Sequence, residues 1–152
     1  MSAPHESFMR HALELADAAA TQGEVPVGAL LVSPNGEIMA EAHNRTRKLS
    51  DPTAHAEMLV LREAGIRIGD WRLEGHTLYS TLEPCSMCTG AAVLSRISRL
   101  VFGARDPKAG MCGSLANLAQ DPRLNHHIEL IEGILAGESA HILQRFFQAR
   151  RS

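Results

Sequence analysis

The stretch "HTLYSTLEPCSMCTGAAVLSRISRLVFGA", His76 to Ala104, decides the fold. Its first eight residues, "HTLYSTLE", form a short apolar run that reads as a strand. "CSMCTGAAVLSR", from Cys85 to Arg96, reads as a helix, and "ISRLVFGA", from Ile97 to Ala104, as a second strand. Strand, helix and strand in succession predict a parallel crossover with the helix laid on the sheet. The same stretch holds two of the chain's three cysteines, Cys85 and Cys88, one helical turn apart and straight after Pro84.

Working outward, "VPVGALLVSPNGEIMAEAHN" is two apolar runs around Pro34-Asn35-Gly36, which predicts a hairpin. "DPTAHAEMLVLREAG" predicts a helix with Asp51 or Thr53 as cap, Pro52 early and its end at Gly65. An amphipathic helix is expected over about His5 to Thr21, a third short strand in "HIELIEG", and a closing helix in "GESAHILQRFFQARR". The order predicts an α/β fold: a three-layer sandwich whose mixed five-stranded sheet carries helices on both faces. Ligands in such sheets collect where strand ends meet helix starts.

The chain has 152 residues, enough for one compact domain over 1–152 with a real core. With 45% hydrophobic and 21% charged residues it reads as a folded protein rather than a disordered one. No apolar run approaches a membrane span, and His and acidic residues interrupt the opening "MSAPHESFMRHALELADAAA" as a signal peptide, so a cytoplasmic protein without a membrane partner is expected. Net charge is −2, so no global positive field advertises a nucleic acid. Basic residues cluster only locally, in "NRTRK", "GARDPK" and "QRFFQARRS".

Cys85 and Cys88 admit three readings. A redox pair lacks its usual sequence context, and a purely structural zinc site needs two more ligands of similar spacing. Cys112, in the Gly-flanked "AGMCGS", is read as structural. A third ligand is available in "TAHAE": His55 at a helix start, with Glu57 two positions on. One imidazole and two thiolates hold zinc and leave the fourth position to water, as a catalytic site requires. Two thiolates cancel the formal charge of the ion, so a carboxylate is needed to help remove the proton, and Glu57 fits that role. Residues two apart diverge by about 200° on an ideal helix. His55 and Glu57 must therefore converge end-on at the helix start.

Joined across one strand, His-x-Glu and Pro-Cys-x-x-Cys resemble the motif of the zinc-dependent nucleobase deaminases. "EVPVGALLV", "DPTAHAE", "TLYSTLEPCSMCTGA", "GARDPKAG", "LNHHIE" and "RFFQARR" narrow the resemblance to the bacterial tRNA-specific adenosine deaminases of the cytidine deaminase superfamily. The resemblance implies a cytidine deaminase-like fold, one zinc per subunit on His55, Cys85 and Cys88, and Glu57 as proton shuttle. It implies a tRNA anticodon stem-loop as substrate, inosine as product at the wobble position, and a homodimer. It further implies that Asn44 and Ala54 contact the target nucleoside, Asp106 the RNA backbone, and Asn125 the flanking nucleotides. Phe147, Arg150 and Arg151 would then supply stacking and phosphate contacts, with Lys108 near them. Gly23 precedes the "EVP" run, so no basic residue adds positive surface there. Two rivals stay open: a free-base or nucleoside deaminase acting on guanine or cytosine, and a zinc-stabilised binding module without catalysis.

Overall fold

The computed structural model describes residues 2–151. Two strands, β1 (Gly28–Val32) and β2 (Ile38–His43), form the expected hairpin, closed by Ser33 N–H donating to Glu37 O at 2.8 Å. β3 (Thr77–Leu82) lies antiparallel to β1, β4 (Arg99–Ala104) parallel to β3, and β5 (Glu129–Ile131) parallel to β4. The sheet order is β2-β1-β3-β4-β5. Helices α1 (Ser2–Thr21) and α4 (Ala136–Arg151) pack on one face, while α2 (Ala56–Ile68) and α3 (Ser86–Leu94) occupy the other. The mixed five-stranded sheet between two helical layers is the architecture expected from the sequence.

Strand residues alternate between two cores because successive side chains point to opposite faces. Leu31, Leu78, Leu100 and Phe102 meet α2 and α3, and Leu30, Tyr79 and Val101 meet α1. Both faces are covered, so β1 and β4 read as nearly continuous apolar runs. Gly28 is required where α1 crosses β1, since a Cβ there would collide with the backbone of Ala12 and Ala16.

The bounds of α2 and α3 differ from expectation. α2 starts after His55, not at Asp51 or Thr53. Asp51 Oδ1 is spent earlier, accepting the N–H (2.8 Å) and hydroxyl (2.7 Å) of Thr53 in a turn of its own. The helix also runs through Gly65 to Ile68 and stops at Gly69, whose φ of 78° lets its N–H close on Gly65 O at 2.9 Å. α3 likewise begins at Ser86, one residue after Cys85, and ends at Leu94. No helix among the described residues is long and apolar enough to cross a membrane.

Candidate active site

The N-termini of α2 and α3 meet beyond the C-terminal end of β3, so two helix starts face one point. His55 is the N-cap of α2 (φ −73°, ψ 149°) and Cys85 the N-cap of α3 (φ −78°, ψ −178°). Both are extended rather than helical, which resolves the problem of His55 and Glu57. The helical angle between alternate residues does not govern a cap, so the imidazole and the carboxyl can point the same way. Cys88 follows in the first turn of α3, where unpaired N–H groups favour thiolates.

His55 Nδ1 lies 3.6 Å from Cys85 Sγ and 3.5 Å from Cys88 Sγ. With zinc–sulfur bonds of about 2.3 Å and zinc–nitrogen bonds of about 2.0–2.1 Å, tetrahedral N and S ligands stand roughly 3.6 Å apart. The three donor atoms therefore already form one face of a zinc tetrahedron, and the donor set fits the ion. Among the described residues this is the one cluster of three such ligands, and it ends a ligand short of a closed site. Hydrogen bonding from Cys88 draws Cys85 down to about 3, and the contact with His55 adds to this. The same hydrogen bond between the two sulfurs, with burial, drives Cys88 upward. Contact with Cys85 raises His55. Cys112 is buried away from these donors, its Sγ 3.4 Å from Thr89 Oγ1, and burial pushes it up to about 12.

Glu57 sits on the first turn of α2 and is 4% exposed. Desolvation raises its carboxyl to about 7, against opposing contributions from its backbone N–H, His55 and Ser80. A cleft of about 170 Å³ brings Glu57 together with His55, Cys85, Asn44, Val25, Val27, Leu82 and Glu83. It is smaller than the roughly 300–1,000 Å³ of ordinary ligand pockets, a size for one base. Val25 and Leu82 also line a second, wider groove of about 660 Å³, shared by Asp106, Lys108 and Phe147.

The expected site residues thus divide. His55, Cys85, Cys88, Glu57 and Asn44 converge. Asp106 and Phe147 both line the adjoining groove, with Phe147 43% exposed and edge-on to Phe146. Ala54 is fully buried behind the site, its carbonyl accepting Arg45 N–H at 3.0 Å. Asn125 stands in an exposed loop beside His126, which bonds Ile97 O at 2.7 Å just ahead of β4. That is the end of the parallel strands opposite the cysteines, so one chain does not bring Asn125 to the cleft. The Arg150 guanidinium lies 4.2 Å over the Phe146 ring and against Gly23, and the side chain of Arg151 falls outside the described residues.

Sequence reasoning missed two buried carboxylates that hold the surrounding loops. Glu24 (1% exposed) accepts the N–H groups of Arg47 (3.1 Å) and Lys48 (2.8 Å), holding the turn after Asn44. Glu83 (2% exposed) gathers the loop that carries Asp106. The available signal was an acidic residue set at the edge of an apolar run, in "GEVPVG" and "STLEPC".

A sheet of this order with a three-donor zinc cluster and a neighbouring buried carboxyl defines the zinc-dependent deaminases. The family model described as the cytidine and deoxycytidylate deaminase zinc-binding region matches residues 2–104, and the chain belongs to that family. Within it, the chain is similar to the tRNA-specific adenosine deaminase of Bacillus subtilis, 52% identical over 146 residues that cover 96% of this chain and 90% of that one. It is also similar to the tRNA-specific adenosine deaminase of Haemophilus influenzae, 51% identical over 96% of this chain and 84% of the relative. A solved tRNA:A34 deaminase, from studies of A-to-I editing at the wobble position of transfer RNA, superposes with a TM-score of 0.86. It is 45% identical and covers 90% of this chain and 99% of its own.

Proposed function

We propose that this chain, as one domain, hydrolyses adenosine to inosine and ammonia at the wobble position of a tRNA anticodon, in the cytoplasm and as a homodimer. The observation that carries the reading is a donor set complete for three zinc positions, with a desolvated carboxyl beside it and room for one base. A closed structural site would need a fourth ligand and would have no use for Glu57. The free-base rival shares the zinc motif, but the 52% and 51% identities are to tRNA-specific enzymes, and the groove continuing past the cleft suits a substrate that extends beyond its base.

His55 Nδ1, Cys85 Sγ and Cys88 Sγ would hold zinc, which when bound supplies a Lewis acid that lowers the pKa of water and strengthens it as a nucleophile. Glu57 takes one proton from the attacking water and gives it to adenine N1 as C6 is attacked. It then takes the second from the resulting C6 hydroxyl and gives it to the amine as the C6–N bond breaks. A carboxyl near 7 suits both directions of transfer at neutral pH. Asn44 lines the same cleft and orients the extruded nucleoside. Asp106, Lys108 and Phe147 receive the flanking loop nucleotides, by hydrogen bonding, charge and stacking respectively.

For the second subunit, the free side of α2 and α3 offers Ile66 (84% exposed) and, just past α2, Trp71 (63%) on a shallow apolar hollow with Met58, Leu61 and Ala91. Leu94 (70%) is exposed at the end of α3. Burying this face would remove a patch that monomers seldom expose. Trp71→Glu and Leu94→Glu should convert a dimer to a monomer in sedimentation. The function itself is tested by incubating the zinc-loaded protein with anticodon stem-loops bearing adenosine at the wobble position and sequencing for inosine. Efficient release of ammonia from free guanine or cytosine, with the stem-loops untouched, would overturn the reading.

A further inference from the structure

We propose that Glu83 is a positioning residue for this reaction: its carboxylate braces the loop from Arg105 to Ser114 and so sets where Asp106 stands beside the cleft. The proposal rests on the function above for the use made of Asp106; the brace rests on geometry alone. Glu83 follows β3 directly, yet the four bonds to its carboxylate all come from one distant loop. Oε1 accepts the N–H of Asp106 at 2.9 Å and the hydroxyl of Ser114. Oε2 accepts the N–H groups of Cys112 and Ser114, each at 3.0 Å. Backbone bonds from Glu83 N to Ala104 O (2.8 Å) and from Met111 N to Pro84 O (2.9 Å) close the loop's ends onto the same strand end.

Gly110 completes the seat. A Cβ there would come within 3 Å of all three carboxyl atoms of Glu83, so the loop backbone lies directly on the carboxylate and only glycine fits. Inside the loop, Asp106 Oδ1 accepts Lys108 N (3.0 Å) and Ala109 N (3.2 Å), and Asp106 O accepts Gly110 N (2.8 Å). Anchoring the Asp106 amide therefore also orients its side chain, which lines the groove while Oδ1 holds these two N–H groups. The chemistry demands a carboxylate. Two acceptor oxygens in one plane can gather four donors that arrive from different points, and an amide cannot, because its NH₂ would face N–H groups. The strand end that leads to Cys85 and the groove that receives the RNA thus share one support.

The test uses zinc-loaded Glu83→Gln and Ser114→Ala, each alone and combined with Asp106→Ala, in steady-state kinetics on an anticodon stem-loop. Zinc content and amide hydrogen exchange are measured on the same samples. Glu83→Gln should raise KM roughly tenfold, the order expected for losing bonds to a charged acceptor, with kcat within about twofold and zinc at one per chain. Ser114→Ala should act in the same direction and more weakly, and remains informative if Glu83→Gln folds poorly. In the Asp106→Ala background neither change should add anything, because the brace works through that residue. Exchange at Asp106, Cys112 and Ser114 should quicken in Glu83→Gln, and more weakly at the same three sites in Ser114→Ala. Effects that multiply with Asp106→Ala, or a fall in kcat that tracks zinc loss at constant KM, would overturn the proposal. If the unmodified protein ignores the stem-loop, the substrate reading falls alone. The exchange rates still decide the brace, which unchanged rates in both variants would refute.

Discussion

Glu57 and Glu83 are the same residue type, are 4% and 2% exposed, and line one cleft, yet their carboxyls are shifted in opposite directions. At Glu57 desolvation dominates and lifts the group to about 7. At Glu83 desolvation also acts upward, but Ser114 and the N–H groups of Asp106, Ser114 and Cys112 outweigh it and hold the group below the usual range. Burial alone therefore does not say what a carboxylate is for. The number of donors aimed at it does: few donors leave a proton carrier, and four make an ionised strut.

The sharpest way to break this contrast is Glu57→Gln, which keeps size and burial and removes the proton. Turnover of a wobble adenosine should fall by about 10²–10⁴-fold, toward the upper end because the group serves several transfers, with zinc content and melting temperature unchanged. A variant retaining a tenth of the activity would mean that another group moves the protons. Next comes Cys88→Ser against Cys112→Ser. The first should lose stoichiometric zinc by metal analysis, and with it the activity. The second should keep both, since Cys112 bonds Thr89 rather than the donor cluster.

At the strut the cost should appear in stability. Glu83→Ala strands the buried Cys112 N–H and its neighbours, and each unpaired donor costs about 1–3 kcal/mol. Urea unfolding should report a loss of several kcal/mol, where the same assay on Glu57→Gln moves little. Gly110→Ala, which pushes a methyl into the Glu83 carboxylate, should cost about 1–3 kcal/mol by overpacking.

The smallest effect is expected at Glu24, a second strut. Burial disfavours its charge, but the N–H groups of Lys48 and Arg47 prevail and lower it from 4.5. A carboxylate depressed in the folded state stabilises fully above its unfolded pKa, and loses that contribution as pH falls through the folded value. Glu24→Gln should therefore cost about 1–2 kcal/mol near neutrality, with the gap to the unmodified protein closing as pH drops below 4.5. A gap independent of pH would mean that the charge at Glu24 contributes nothing.

Much of this site is legible along the chain. The β3–α3–β4 order, the hairpin and the metal ligands follow from local pattern, because periodicity and spacing are properties of neighbours in sequence. The struts are not legible in that way. Glu83 meets donors 23 to 31 residues away, and Glu24 meets donors 23 and 24 residues away. That Arg150 lies over the Phe146 ring is likewise invisible in the sequence. Ala54 and Asn125 are placed at the substrate by resemblance alone; within one chain the first is buried next to His55 and the second lies near the opposite end of the parallel strands.

By itself, the sequence determined which atoms can hold the metal and which carboxyl can serve them, since His-x-Glu and Cys-x-x-Cys set ligand type and local reach. Only the tertiary structure decided that His55 and Cys85 would be caps rather than helical residues, which is what lets two helix starts aim at one point. It also decided the fate of each glutamate. A carboxyl's proton affinity depends on the dielectric and the donors around it, and those arrive from elements that the chain order keeps far apart.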